Sequence, residues 1–177
     1  IDIGKPTFLP IIPLYKLSKL IAKSHFPKIY SEHWDTHKMI ETMMISANYL
    51  TAIFLKNNSK HPVIFRNHEN KITKKIPKQY YNILKHLNSN AAVYTTDDTK
   101  VNHDGIGIDS YTHFTSPIRR FVDLYTHYLI KSIVYNEPVP KKILNSISLD
   151  FMTKLNKNVR NHRRMSIEIE RLNIYNL

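Results

Sequence analysis

The sequence has no cysteine, which excludes a disulfide framework, a thiol nucleophile and any cysteine-held zinc or iron–sulfur centre. Glycine is almost as scarce. Only Gly4, Gly105 and Gly107 occur in 177 residues, too few for an architecture of repeated tight turns, so helices are expected to dominate. No apolar run approaches the roughly 18 residues of a membrane span. The opening FLPIIPL is short and broken by prolines, unlike the core of a signal peptide. These absences set the expectation of a soluble, cytoplasmic protein with no membrane partner. Acidic residues are also few: 14 Asp plus Glu stand against 26 Lys plus Arg, a formal net charge of +12 with 10 histidines besides. A field of that sign favours polyanions, with nucleic acid the first candidate and an anionic membrane surface the second.

What is present is an ordinary globular composition. Hydrophobic residues make up 42% of the chain, enough for one domain with a real core. No repeat or low-complexity tract divides it, so residues 1–177 read as a single unit. The chain opens at Ile1 rather than methionine, which sets the expectation of a fragment or a processed product. Apolar spacing predicts helices over Leu14 to His25, over about Asp35 to Leu55, near Lys78 to Leu87, and from Lys142 or Ser148 to the end. His61 to Arg66 and the AAVYTT segment read as short strands, and TDDTKVNHDG as a polar loop. The fold class expected is α+β, mostly helical with a few short strands.

The most informative stretch is Tyr111 to Arg120, YTHFTSPIRR. Thr115 or Ser116 suits an N-cap, and Pro117 suits the first helical position, where its missing N–H costs nothing. From there Ile118, Phe121, Val122, Tyr125, Leu129 and Ile133 fall on one apolar face, with Arg119, Asp123 and His127 on another. Unpaired amides at a helix start and planar guanidinium forks both suit a phosphodiester. The alternative is a well-capped surface helix whose arginines are only solvated.

Other features have plainer readings. His33 and His37 are spaced as helix-borne zinc ligands would be, but no third ligand stands at a usual spacing. Gly105 to Gly107 lacks the third glycine of a dinucleotide fingerprint and reads as a turn. Met39, Met43 and Met44 read as core filler. The NHRRM cluster is either a solvated face or a contact to an RNA backbone.

The segment YTHFTSPIRRFVDLYTHYL resembles the signature of the ribonuclease II and R family, whose RNB catalytic domain shows Y-x-H-F-T-S-P-I-R-R-Y-x-D-L-x-x-H. Further segments stand in the family's order. MIETMMISAN is similar to its V-E-E-x-M-I-x-A-N helix, HPVIFRNHEN to its Y-R-x-H-E strand and turn, GIGIDSYTHF to its H-F-G-L-G-L lead-in, and NHRRMSIEIER to its closing helix. The resemblance runs over roughly residues 36 to 171.

It implies a partial RNB-type catalytic domain of a 3′-to-5′ exoribonuclease, which hydrolyses single-stranded RNA to nucleoside monophosphates with magnesium as cofactor. It implies that Arg119 clamps the phosphate at the cleavage site and that Arg120 supports it. Thr115, Ser116, Glu41, Asn48, His113, Tyr111 and Glu170 are the RNA-binding positions it suggests. Where the family has two adjacent glutamates, this chain has Glu41 followed by Thr42. The family's metal cluster, D-x-x-x-x-x-D-x-D-D, has no counterpart in the sequence. Asp97 and Asp98 are the one adjacent acidic pair and read as a loop. The magnesium ligands are therefore expected in an upstream half of the catalytic domain, which would be this chain's partner. A sheet left half-built here is expected to expose an edge prone to pairing.

Overall fold

The computed structural model describes residues 11–68 and 92–175. The expected helix near Lys78 to Leu87 lies outside them. The described residues form helices α1 (Ile12–His25), α2 (Thr36–Asn58), α3 (Phe121–Val134), α4 (Lys141–Ser146) and α5 (Leu149–Tyr175), with strands β1 (Phe65–Asn67) and β2 (Val93–Thr95).

Helix α2 is the spine. Asp35 caps it, its side chain accepting the Lys38 N–H at 2.8 Å, which satisfies one amide that the helix leaves unpaired. Its buried residues Met39, Thr42, Ile45, Asn48, Ala52 and Leu55 recur at helical spacing. One end of this stripe, through Ile45, meets Phe26, Ile106, Ile108 and Tyr111 in a small cluster. The other end, through Ala52 and Leu55, joins the main core with Ile64, Val122, Tyr125 and Leu129. Helix α1 packs on α2, and Trp34 ties the two together, donating from Nε1 to Ser18 Oγ at 3.3 Å while its carbonyl accepts from the Tyr15 hydroxyl.

The two strands pair antiparallel with Arg66 opposite Tyr94. The backbone groups of this pair point outward, and both directions are occupied. The Arg66 N–H donates to Tyr111 O at 2.7 Å. On the other side, the Asn156 side-chain amide of α5 accepts from Tyr94 N–H at 2.7 Å and donates to Tyr94 O at 2.8 Å. The expected open edge is thus closed at its centre, by a loop on one flank and a side chain on the other.

The largest departure from expectation concerns the start of α3. Residues 117–119 form a turn, and the helix begins at Phe121 with Arg120 extended at the cap position and no side-chain cap bond. Neither Thr115 nor Ser116 caps it. The physical reason is Asp123, a first-turn carboxylate buried at 0% exposure. It reaches back to accept the Ser116 N–H at 2.7 Å and the Nε and Nη2 donors of Arg120, at 2.7 and 2.9 Å. Asp123, expected on an outward polar face, is therefore inside, and Ile118, expected on the apolar face, is 101% exposed. Of the two starts expected for the last helix, the structure has the later one: α5 begins at Leu149, and the residues from Lys141 to Ser146 form the separate α4. The strand expected over His61 to Arg66 is paired only from Phe65 to Asn67.

Candidate nucleic-acid interface

Two adjoining clefts share a wall made by Arg66 and Arg120. The first holds about 730 Å³. Ile40 and Met44 of α2 and Ile106 line its apolar side, while His103, Tyr111 and His113 join the two arginines on its polar side. The second holds about 470 Å³ and opens between the start of α3 and α5, where Arg119, His162 and Arg163 line it. Met44 is thus a wall of the first cleft, not core filler.

The polar side is fixed from several elements at once. Arg66 comes from β1, and its Nη1 lies 3.4 Å from His103 Nε2. Burial lowers its pKa from 12.5, and the nearby charges of Arg120 and Arg163 push in the same direction. His113 is pulled down to about 2 by burial, with Arg66 and Arg120 beside it. His103 falls to about 4 by burial, with Arg66 again adding to the effect. Both imidazoles are therefore neutral at pH 7. Burial raises the hydroxyl pKa values of Tyr94 and Tyr111. The clefts thus combine permanent cations with neutral donors, and the carboxylate bonded to a wall arginine is Asp123.

The two arginines of the SPIRR segment differ in what they can do. Arg120 is committed to Asp123 through two bonds, which holds its guanidinium in one orientation. Arg119 is exposed at the rim of the second cleft. Asn48 and Tyr111 bond to each other at 2.8 Å, and Asn48 Oδ1 also accepts from Phe114 N–H at 2.8 Å. Both ends of that amide are therefore used inside the protein. Glu41 lines the first cleft and pairs with Lys38 at 2.7 Å, whereas Thr42 is fully buried, so Glu41 is the position that faces the opening. Thr115 and Ser116 line neither cleft; the Ser116 contribution is its backbone N–H to Asp123. Glu170 falls on α5, its side chain outside the described residues.

The profile of the RNB domain matches residues 16–136. This chain belongs to the RNB domain family. Ribonuclease R of Buchnera aphidicola subsp. Acyrthosiphon pisum is 32% identical over 68% of the chain, and that of Escherichia coli 30% identical over 58%. The chain spans about a fifth of the length of these relatives, 20% and 17% respectively. Among solved structures, the apo form of Mycoplasma genitalium RNase R superimposes with a TM-score of 0.60 at 20% identity, over 85% of this chain and 34% of that one. The same protein in complex with ribose methylated single-stranded RNA gives 0.53 at 21% identity, over 90% and 33%. The fold is that of a partial RNB domain, α+β and mostly helical.

Three features of this RNB domain's clefts escape sequence reasoning. Arg66 stands in the HPVIFR segment, and the matching Y-R-x-H-E pattern was the signal that could have singled it out. Asp123 stands at the aspartate of the R-R-Y-x-D-L signature, which marks the position but not its burial, and His103 carries no such signal, because its role depends on burial. For a metal the donors do not fit: among the described residues no three His, Asp or Glu side chains are grouped to hold an ion. Asp97 instead accepts from Thr99, and Asp98 lies 3.9 Å from Lys56.

Proposed function

We propose that this chain, as one unit, is the RNA-gripping part of a 3′-to-5′ exoribonuclease domain that hydrolyses single-stranded RNA to nucleoside monophosphates. The observation that carries this reading is the shared wall of Arg66 and Arg120, with Arg119 at the rim beside it. Guanidiniums held in place cost no reorganisation when charge builds on a phosphate. The apolar wall of the first cleft fits the face of a base, and the arginines fit the phosphate that follows it. Arg119, which has no partner fixed to it by Asp123, is assigned the scissile phosphate; Arg120 is assigned the support of that site. Tyr111, His113 and Glu41 are assigned to the terminal nucleotide. The ribonuclease R relatives support the reaction class, and magnesium is assigned to ligands in polypeptide beyond this chain.

A second reading, a catalytically inactive RNB-like module that binds RNA, is favoured by one sequence observation, the lack of any D-x-x-x-x-x-D-x-D-D spacing. One experiment separates the two. A 5′-labelled oligoadenylate is incubated with magnesium and either this chain, the chain joined to its upstream polypeptide, or the Arg119→Ala form of each. Shortening from the 3′ end with the upstream part present, abolished by Arg119→Ala, supports the exoribonuclease. Salt-sensitive binding with no cleavage in any arm supports the inactive module.

A further inference from the structure

Three residues from three parts of the fold make one chain of hydrogen bonds that ends at the first cleft. Asn156 of α5 holds both backbone groups of Tyr94 with one side-chain amide. Tyr94 lies on β2, 8% exposed, and its hydroxyl meets His113 Nδ1 at 2.6 Å. His113, 7% exposed, lines the cleft beside Arg66, Arg120 and Tyr111. A buried phenol needs an acceptor for its proton, and the bond that the Tyr94 hydroxyl makes is to His113 Nδ1. A neutral imidazole has one donor and one acceptor nitrogen. If Nδ1 accepts, Nε2 carries the proton.

We infer that Asn156 and Tyr94 are positioning residues which fix His113 as a neutral Nε2–H donor to a phosphate oxygen of RNA in the first cleft. The inference rests on the RNA reading given above. Its physical sense lies in the surroundings. The groups acting on His113 are the cations Arg66, Arg120 and Arg119, together with His103. In such a field an imidazolium is disfavoured, so the ring contributes direction and a donor rather than another charge. Burial, with the neighbouring arginines adding to it, holds His113 and His103 well below the ordinary imidazole value, so the contribution is independent of pH across the neutral range. The chain links α5 to the cleft as well, since the angle at which Tyr94 meets the imidazole depends on Asn156.

The test uses nitrogen NMR of the imidazoles in the whole chain, with the His113 signals assigned by their loss in His113→Gln. Anisotropy of a short 5′-fluorescein oligoadenylate, titrated at constant salt, gives the affinity. The expected spectrum shows protonated Nε2 and bare Nδ1 for His113, unchanged between pH 6 and 8, and Tyr94→Phe moves part of the proton to Nδ1. His113→Leu weakens binding about tenfold. His113→Gln, which keeps an N–H near the Nε2 position, stays within about threefold of the parent. Asn156→Asp, which cannot donate to the Tyr94 carbonyl, shifts the His113 signals without touching the ring. A spectrum with the proton on Nδ1 in the parent chain, or equal binding by parent and His113→Leu, overturns the inference while the RNA reading stands. No binding of the oligonucleotide by the parent chain overturns the RNA reading, and the donor role with it.

Discussion

The cleft walls and the outer side of α5 both carry positive charge, and they use it in opposite ways. In the clefts the guanidiniums are partly buried and pinned, Arg120 by Asp123 and Arg66 beside His103. On α5, Lys157, Arg160 and Arg164 stand at helical spacing and are exposed. An exposed long side chain in water is screened by salt and samples many rotamers, so it adds to a field without defining a geometry. A guanidinium held by a buried carboxylate has already lost that freedom and presents its charge in a set direction. The difference teaches that net charge alone says where a polyanion is drawn, and burial says where it is gripped. The chain's +12 is therefore divided between side chains that move freely in water and side chains held in one geometry.

The comparison can be broken most forcefully at Asp123. Asp123→Ala leaves Arg120 and the Ser116 N–H without their buried acceptor, and urea unfolding should show a loss of about 3–5 kcal/mol. A loss below about 1 kcal/mol would mean that the carboxylate does not organise the cleft wall. Next comes Arg119. In polypeptide that degrades RNA, Arg119→Ala should cut the hydrolysis rate by about 10²–10³-fold, while RNA affinity changes less than about tenfold. Equal losses in both would make Arg119 one more member of the attracting field.

Acidity should expose the buried side of the contrast. His113 and His103 are lowered to about 2 and about 4 from the ordinary 6.5, so below about pH 6.5 the unfolded chain takes up protons that the folded chain refuses. Stability is fully present above that pH and falls as the pH drops toward 4. The slope is about 1.4 kcal/mol per pH unit for each histidine once its unfolded form is protonated. Urea midpoints measured from pH 7 to 5 check this; a flat profile would place both rings in water.

Smaller effects belong to the outer surface. Arg160→Gln and Arg164→Gln should each reduce the slope of log affinity against log salt by about 0.7, leaving stability within about 0.5 kcal/mol. An unchanged slope would remove α5 from the path of the RNA. Least of all, Ile118→Ser should leave the unfolding free energy within about 0.5 kcal/mol, since Ile118 is 101% exposed; a larger loss would restore the apolar face that the helical spacing predicted.

Much of the architecture is legible in the residues themselves. The Asp35 cap and the spacing from Met39 to Leu55 specify α2 locally, and the SPIRR segment with its neighbours identifies the RNB family. These are short-range signals, carried by caps, periodicity and motif order. The start of α3 departs from its local signals. Thr115, Ser116 and Pro117 have good local chemistry for a helix start, but a buried carboxylate six residues beyond Pro117 takes over the role. Local propensity lost to tertiary hydrogen bonding.

The sequence by itself determined the helical character of the chain, its net positive charge and its family, because composition, spacing and motif are properties of neighbours along the chain. Only the tertiary structure decided which of two adjacent arginines is pinned and which is left at the rim, that Arg66 of β1 joins Arg120 in one wall, and that Asn156 closes the sheet edge above Tyr94. Each of these depends on what burial brings together from distant segments. A guanidinium's role is set by the partner that packing gives it, and packing is not written in the residues next to it.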